Sequence, residues 1–458
     1  MKAWRLRFDT GSLVVETGDA EQHDMRELVS GLIWDQRIEA FRGEAAMYRP
    51  LILKLVRRKL EYIDEAKSYD ELELAMHIKR KPFPYQAEAL NAWEKAGCRG
   101  IVVLPTGAGK TFVAHLAMMG RQRASLIVTP TLDLMHQWFA GLRSAFRCEI
   151  GMIGGGVYDP KPISVTTYDS AYIHMDKLGD RYGLLIFDEV HHLPSPSYAL
   201  AAKHSIAPYR LGLSATPERD DAAYSYDELV GPIVYSKSIK DLAGAHLSEY
   251  ETIQISVSLS DEEREEYSQA RSTYLEFVRQ NGIRMNSRSA WGDFLKACAR
   301  SSEGRLALLA HRSQKRITQC CREKITVLID ILAEHRNDRS IIFTADNDTV
   351  YRISKLLLVP AITHQSNAKE RRRVLDDFNA GRYPVLVTSR VLNEGVDVPE
   401  ANVAIVLSGS GSVREHVQRL GRILRAREGK SAVLYEFVAE GTNEEFTSQR
   451  RRKHDAYS

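Results

Sequence analysis

Pro105-Thr106-Gly107-Ala108-Gly109 runs directly into Lys110-Thr111, and these seven residues have the makeup of a phosphate cradle. Two glycines and an alanine carry too little side chain to keep an anion away from the backbone N–H groups. A helix opening at Lys110 would aim its N-terminus at the same point. The Lys110 ammonium suits β- and γ-phosphates, and the Thr111 hydroxyl suits Mg²⁺. The implied ligands are ATP and Mg²⁺, although the general pattern has glycine five residues before Gly109, where this chain has Leu104. A second group of chemical residues stands at Asp188-Glu189-Val-His191-His192. Asp188 suits help to the Mg²⁺ on Thr111, direct or through water, and Glu189 suits polarising the attacking water. His191 and His192 have no neighbouring metal ligands, so coupling or packing is the favoured reading over a metal site. Further on, Arg422 and Arg425 share one helix face at i and i+3. Alone they read as a solvated pair. Beside a triphosphate they become candidates for the transition-state cation that speeds phosphoryl transfer by about 10³–10⁵.

These residues need elements to hold them. Ile101–Leu104, Leu126–Thr129, Ile163–Thr166, Leu184–Phe187 and Leu211–Ser214 are short apolar runs separated by helix-length segments, the pattern of a parallel sheet covered on both faces. The pattern recurs at Ile341–Thr344, Val385–Thr388, Val403–Leu407 and Val433–Phe437, which predicts a second α/β domain. Before the first lies an α+β unit ending near residue 78. It has a hairpin at Trp4–Phe8 and Leu13–Val15, a strand at Ile38–Phe41, and a helix through Leu51, Ile52, Leu55, Val56, Leu60 and Ile63. The predicted domains are therefore 1–78, 79–240 and 241–458, the last with a helical insert at about 260–324. Between Arg264 and Lys324 that insert has thirteen basic and six acidic residues, with Tyr267, Tyr274, Phe277, Trp291 and Phe294 interleaved. It reads either as a solvated helical face around an aromatic core or as a phosphate-gripping surface. The second fits an ATPase that works on a polymer.

The whole chain has 458 residues and a net charge of only +3, so any nucleic-acid footprint is local. Five cysteines with no C-x₂-C pairing argue against a zinc site or disulfide framework and suit a reducing cytosol. There is no signal-peptide core and no 18-residue apolar run, so no membrane span is expected.

The motifs together resemble superfamily 2 helicases and translocases. PTGAGKT is followed by DEVHH and by Ser214-Ala215-Thr216. Thr129-Pro130-Thr131 with His136-Gln137-Trp138 resembles motif Ia, and Ile341–Asn347 resembles motif IV. Thr388 through Gly395, Asp397 and Pro399 resembles motif V, and Gln418-Arg-Leu-Gly-Arg422-Ile-Leu-Arg425 resembles motif VI. The resemblance implies two RecA-like domains, with Gln86 reading adenine, Gln418 joining the arginines, and Gly395 and Asp397 relaying between nucleotide and polymer with Ser214, Ala215 and Thr216. Within the superfamily the chain is similar to the short XPB-type helicases. Trp34-Asp35-Gln-Arg37 looks like the end of that family's damage-recognition-like domain. Arg219-Asp220-Asp221 stands where the family has an Arg-Glu-Asp element linked to strand separation, and Asp220 shortens the reach by one methylene. The basic insert lies where the family has its thumb. The implied activity is an ATP-dependent 3′→5′ DNA helicase in excision repair or transcription-linked remodelling, cytoplasmic and nucleoid-associated, with DNA and a nuclease as partners. A duplex-DNA translocase that never separates strands remains the alternative, with an RNA helicase or a non-catalytic scaffold behind it. The N-terminal unit reads damage, contacts a partner or packs on the motor. Arg450-Arg-Arg-Lys453 is a tail or a DNA contact.

Overall fold

The structure is a computed structural model and describes residues 3–17, 27–217, 223–242, 249–284, 290–389, 401–408 and 431–451. The chain forms two compact units that divide between Asp241 and Leu242. The first unit opens with a five-stranded sheet of β1 (Trp4–Asp9), β2 (Ser12–Glu16), β3 (Ile33–Asp35), β4 (Ala40–Glu44) and β5 (Tyr62–Glu65), in the order β3-β4-β2-β1-β5. The β1–β2 hairpin turns at Thr10 and Gly11, both at positive φ. The expected helix is shorter than its apolar spacing suggested. It spans Tyr48–Arg57, Leu60 N closes it by donating to Leu55 O at 3.0 Å, and Ile63 lies in β5 beside Arg5 of β1. Ile63 is half exposed at the sheet edge, so its place in the helical period was coincidence.

The larger sheet of this unit holds β6 (Arg99–Val103), β7 (Ser125–Thr129), β8 (Gly151–Gly154), β9 (Val157–Asp159), β10 (Ile163–Thr167), β11 (Leu184–Asp188), β12 (Tyr209–Ser214) and β13 (Ile233–Ser236). Its order is β13-β6-β12-β11-β7-β10-β8-β9, parallel except for the β8–β9 hairpin. Every residue of β7, β10 and β11 is buried, which is why β7 and β11 read as near-continuous apolar runs, while β10 also buries Ser164, Thr166 and Thr167. The five-stranded sheet is not a separate body. Trp4, Leu6, Leu13, Tyr48, Leu51 and Leu55 belong to the same hydrophobic core as Leu126, Tyr182 and Ile206. A methyl group on Gly179 would lie 2.9 Å from the Phe8 ring, and Arg49 donates to Gly97 O at 2.9 Å.

The second unit has one sheet of β14 (Glu249–Val257), β15 (Ser340–Phe343), β16 (Ala361–Ile362), β17 (Val385–Thr388), β18 (Val403–Val406) and β19 (Ser431–Ala439). All are parallel, in the order β14-β19-β18-β15-β17-β16. Between β14 and β15 come the helices Asp261–Gln280, Ala290–Cys298, Ser302–Gln319 and Arg322–Glu334. Tyr274, Phe277, Phe294 and Ala307 give the insert a small core of its own. Its base is pinned by Lys324, fully buried, which donates to Leu407 O at 2.8 Å and Glu444 Oε2 at 2.7 Å. Among the described residues no helix is long and apolar enough to cross a membrane.

Candidate active site

β6 ends at Val103, and the loop behind it needs its glycines. Gly107 and Gly109 have φ of +86° and +78°, in the left-handed region that disfavours a side chain. Gly109 also has no room for one, since a Cβ there would meet Gln86 Nε2 at 2.6 Å. Gly109 starts the helix Lys110–Arg121, and no side chain caps that end. Its first N–H groups are thus left for a ligand. Lys110 Nζ donates to Leu104 O at 3.1 Å, Thr111 is exposed, and the buried Thr106 hydroxyl has no hydrogen-bond partner among the described residues. Two residues brace the loop from behind: Tyr85 Oη donates to Ala108 O at 2.8 Å and Gln86 Nε2 to the same oxygen at 2.9 Å. Gln86 Oε1 accepts from Phe83 N at 3.0 Å, so both ends of this fully buried amide hold the protein's own backbone.

The carboxylates stand at the C-terminal end of β11, where parallel sheets place their ligands. Asp188 Oδ2 accepts from Trp138 Nε1 at 2.8 Å, and Oδ1 accepts from Glu189 N at 3.0 Å. Burial pushes the Asp188 carboxyl above the usual carboxylate range. The Trp138 N–H, the Lys110 ammonium and the Glu189 N–H oppose that rise. Glu189 has φ +46°, a costly conformation for a residue with a side chain, held here by the elements around it. Tyr168 Oη helps by donating to Asp188 O at 3.0 Å. Beyond Glu189 comes a chain of short steps. His191 Nδ1 lies 3.5 Å from Glu189 Oε2 and 3.4 Å from Ser214 Oγ, and Ser214 Oγ accepts from Thr216 N at 3.1 Å. His192 packs its ring 4.4 Å from that of His191, Ala215 is half-buried between Ser214 and Thr216, and the Thr216 hydroxyl is buried without a partner among the described residues.

Thr129 ends β7 in the first unit and Thr388 ends β17 in the second, and both are fully buried. Thr129 Oγ1 donates to Thr166 O at 3.1 Å and Thr388 Oγ1 to Ile362 O at 3.0 Å. They shape the loops that follow and do not present a hydroxyl to solvent. Pro130 is half-buried, and Thr131 Oγ1 caps the helix Leu132–Phe146 by accepting from Leu134 N at 3.3 Å. Arg219, Asp220, Asp221, Gly395, Asp397, Gln418, Arg422 and Arg425 lie outside the described residues. Sequence reasoning missed two neighbours of Asp188. Trp138 stood in a motif with no role assigned to it, and Tyr168 had no local signal.

Comparison with known proteins places these features in a family. Residues 6–66 match the Xeroderma pigmentosum group B helicase damage recognition domain, residues 79–219 the type III restriction enzyme res subunit, and residues 323–427 the helicase conserved C-terminal domain. A protein of Sulfurisphaera tokodaii named DNA 3′-5′ translocase XPB2 is 43% identical over 426 residues, which cover 92% of this chain and 96% of the relative. The chain belongs to the XPB family of superfamily 2 helicases. The Mycobacterium tuberculosis protein named DNA 3′-5′ helicase XPB is 31% identical, and the match covers 78% of this chain and 61% of that longer XPB protein. The crystal structure of the Pyrococcus furiosus Hef helicase domain shares the fold, with a TM-score of 0.56 at 18% identity over 81% of this chain and 98% of that one. Two α/β domains, expected from the strand runs, and their RecA-like type, implied by the resemblance, fit both findings.

Proposed function

We propose that this chain hydrolyses ATP with Mg²⁺ to move 3′→5′ along DNA and to separate its strands, in excision repair or transcription-linked remodelling. One observation carries the reading. Lys110 opens the helix that follows β6 and Asp188 ends β11, so residues distant in sequence meet at one end of one sheet, where the ammonium opposes the rise that burial imposes on the carboxyl. Glycine φ values, an uncapped helix end and a Thr106 hydroxyl without a partner among the described residues suit phosphate oxygens. Thr111 and Asp188 are the oxygen donors for Mg²⁺, which would supply charge neutralisation to the phosphates. On nucleotide entry Lys110 exchanges the Leu104 carbonyl for phosphate, Glu189 orients the water, and His191, Ser214, Ala215 and Thr216 carry the state of the site outward. Arg422 and Arg425, with Gln418, Gly395 and Asp397, complete the site in this proposal. Gln86 acts here by bracing the P-loop that holds the phosphates.

DNA is the proposed polymer, met through the loops after Thr129 and Thr388 and through Arg219, Asp220 and Asp221. Cutting, where it accompanies unwinding, is assigned to a nuclease partner. A second reading, translocation on duplex DNA without strand separation, is favoured by Asp220 and by the name of the Sulfurisphaera relative. Strand displacement on a tailed duplex, run beside triplex displacement, separates the two. Lys110→Ala is expected to abolish ATP turnover and to retain DNA binding. A variant with undiminished DNA-stimulated ATPase removes the lysine from the mechanism.

A further inference from the structure

Trp138 lies within the helix Leu132–Phe146, which starts at the Thr131 cap, and its ring is only 3% exposed. Its one polar atom is spent on a single partner, the Nε1–H to Asp188 Oδ2 bond of 2.8 Å. Edge-on to the indole stands His115 of the helix Lys110–Arg121, with centroids 6.1 Å apart at 84°, and Phe146 closes on His115 at 5.5 Å. Burial pushes His115 down to about 4 and neither ring nitrogen is hydrogen-bonded among the described residues, so this contact is packing between rings. One rigid side chain therefore joins three elements: the helix behind the P-loop, the strand end with the carboxylates, and the helix behind the Thr129–Thr131 loop. Filling that space needs only an aromatic ring; the N–H adds a donor on Asp188 Oδ2 that a plain aromatic ring would not supply.

We propose that Trp138 is a positioning residue that fixes the Asp188 carboxylate for Mg²⁺ and ties it to the helix behind the Thr129–Thr131 loop, so that polymer and metal–nucleotide sense each other through one indole. The proposal rests on the reading of Asp188 as the carboxylate beside Mg²⁺. Removing an outer hydrogen bond of this kind costs metal sites about tenfold in affinity or more. Coupling through the indole must be reciprocal between the two ligands.

The test uses the full chain with Trp138→Phe, and with Trp138 replaced by β-(3-benzothienyl)alanine, which keeps the bicyclic shape and lacks the N–H. The probes are N-methylanthraniloyl-ATP, bound in Mg²⁺ or in EDTA, and a fluorescent oligo(dT). Both variants are expected to bind the nucleotide as wild type does in EDTA and to bind oligo(dT) normally without nucleotide. They should lose about tenfold of the affinity that Mg²⁺ adds, together with the mutual enhancement between nucleotide and DNA, at an unchanged melting temperature. A benzothienylalanine protein that keeps the Mg²⁺ gain and the coupling overturns the proposal and leaves Trp138 as packing. Wild-type protein that shows no Mg²⁺ gain instead removes the metal reading of Asp188, and this inference with it.

Discussion

The junction at His191 is built loosely, and that looseness suits a relay. Its Nδ1 stands 3.4 Å from Ser214 Oγ and 3.5 Å from Glu189 Oε2, both at the long limit for a hydrogen bond. Small movements of the Ser214–Thr216 segment therefore change which neighbour the ring favours. Ser214→Ala removes one neighbour and frees Thr216 N while leaving Lys110, Asp188 and Glu189 in place. DNA-independent ATP turnover is expected to stay within about twofold of wild type, whereas the stimulated part falls by roughly tenfold, the size of an ordinary coupling energy. Steady-state ATPase with and without DNA reads this directly, and a variant stimulated as fully as wild type breaks the relay. At this scale, legibility followed the chemistry. Lys110, Thr111, Asp188 and Glu189 were visible because phosphate and metal demand fixed residue types at fixed local spacing. Trp138 and Arg210 owe their roles to partners that only folding brings near. Arg210 is a fully buried guanidinium donating to the carbonyls of Ala202, Ser205, Ala207 and Leu229. Nothing adjacent to it in the sequence announces that role.

Among the elements, the central strands were legible almost residue for residue. Val385–Thr388 is β17 as read, and Leu184–Phe187 is β11 less one residue. The strands missed, β3, β5, β8, β9, β13, β14 and β16, lie at or next to sheet edges, are short or alternate with polar residues, and so lack the long apolar run. The N-terminal unit shows a different limit. Its end near residue 78 was drawn from punctuation in the sequence, yet its sheet shares a core with the larger one. Phe8 packs at Gly179 and Tyr69 at Gly183, and Lys203 pairs with Glu44 at 3.0 Å. Deleting residues 1–78 would uncover this core at about 1.5–3 kcal/mol for each large apolar side chain, in a fold whose whole stability is about 5–15 kcal/mol. Residues 79–458 are expected to aggregate or to melt well below the full chain. A soluble 79–458 fragment with an undiminished melting temperature would show the sheet to be an independent module. The role of this unit is therefore better probed at its exposed face, where Ile33 and Trp34 lie open beside Arg37, than by truncation.

For the molecule as a whole, charge is the property that bears on DNA. The insert's excess of basic residues leaves open a solvated face or a phosphate-gripping surface, and several of these cations are already engaged within the protein. Arg316 bonds Glu266, Arg322 lies near Glu262, Lys296 near Asp293, and Lys324 is buried against Glu444. Arg279, Arg284, Arg300, Arg305, Arg312 and Lys315 are exposed and have no ion pair among the described residues. If all six met phosphates of a single strand, the logarithm of the binding constant would fall with that of salt at a slope of about −4, at roughly −0.7 per contact. Arg305 and Arg312 are seven residues apart on the helix Ser302–Gln319, so they project from the same face two turns apart. The double variant Arg305→Gln, Arg312→Gln is expected to flatten the slope by about 1.4, by the same amount on oligonucleotides of different sequence, because phosphate contacts carry no base information. Fluorescence anisotropy across roughly 50–200 mM KCl measures it. An unchanged slope would take this helix face out of the DNA footprint and leave the insert as a solvated bundle. A change confined to one sequence would mean that the arginines reach bases, contrary to a motor that must pass over every sequence alike.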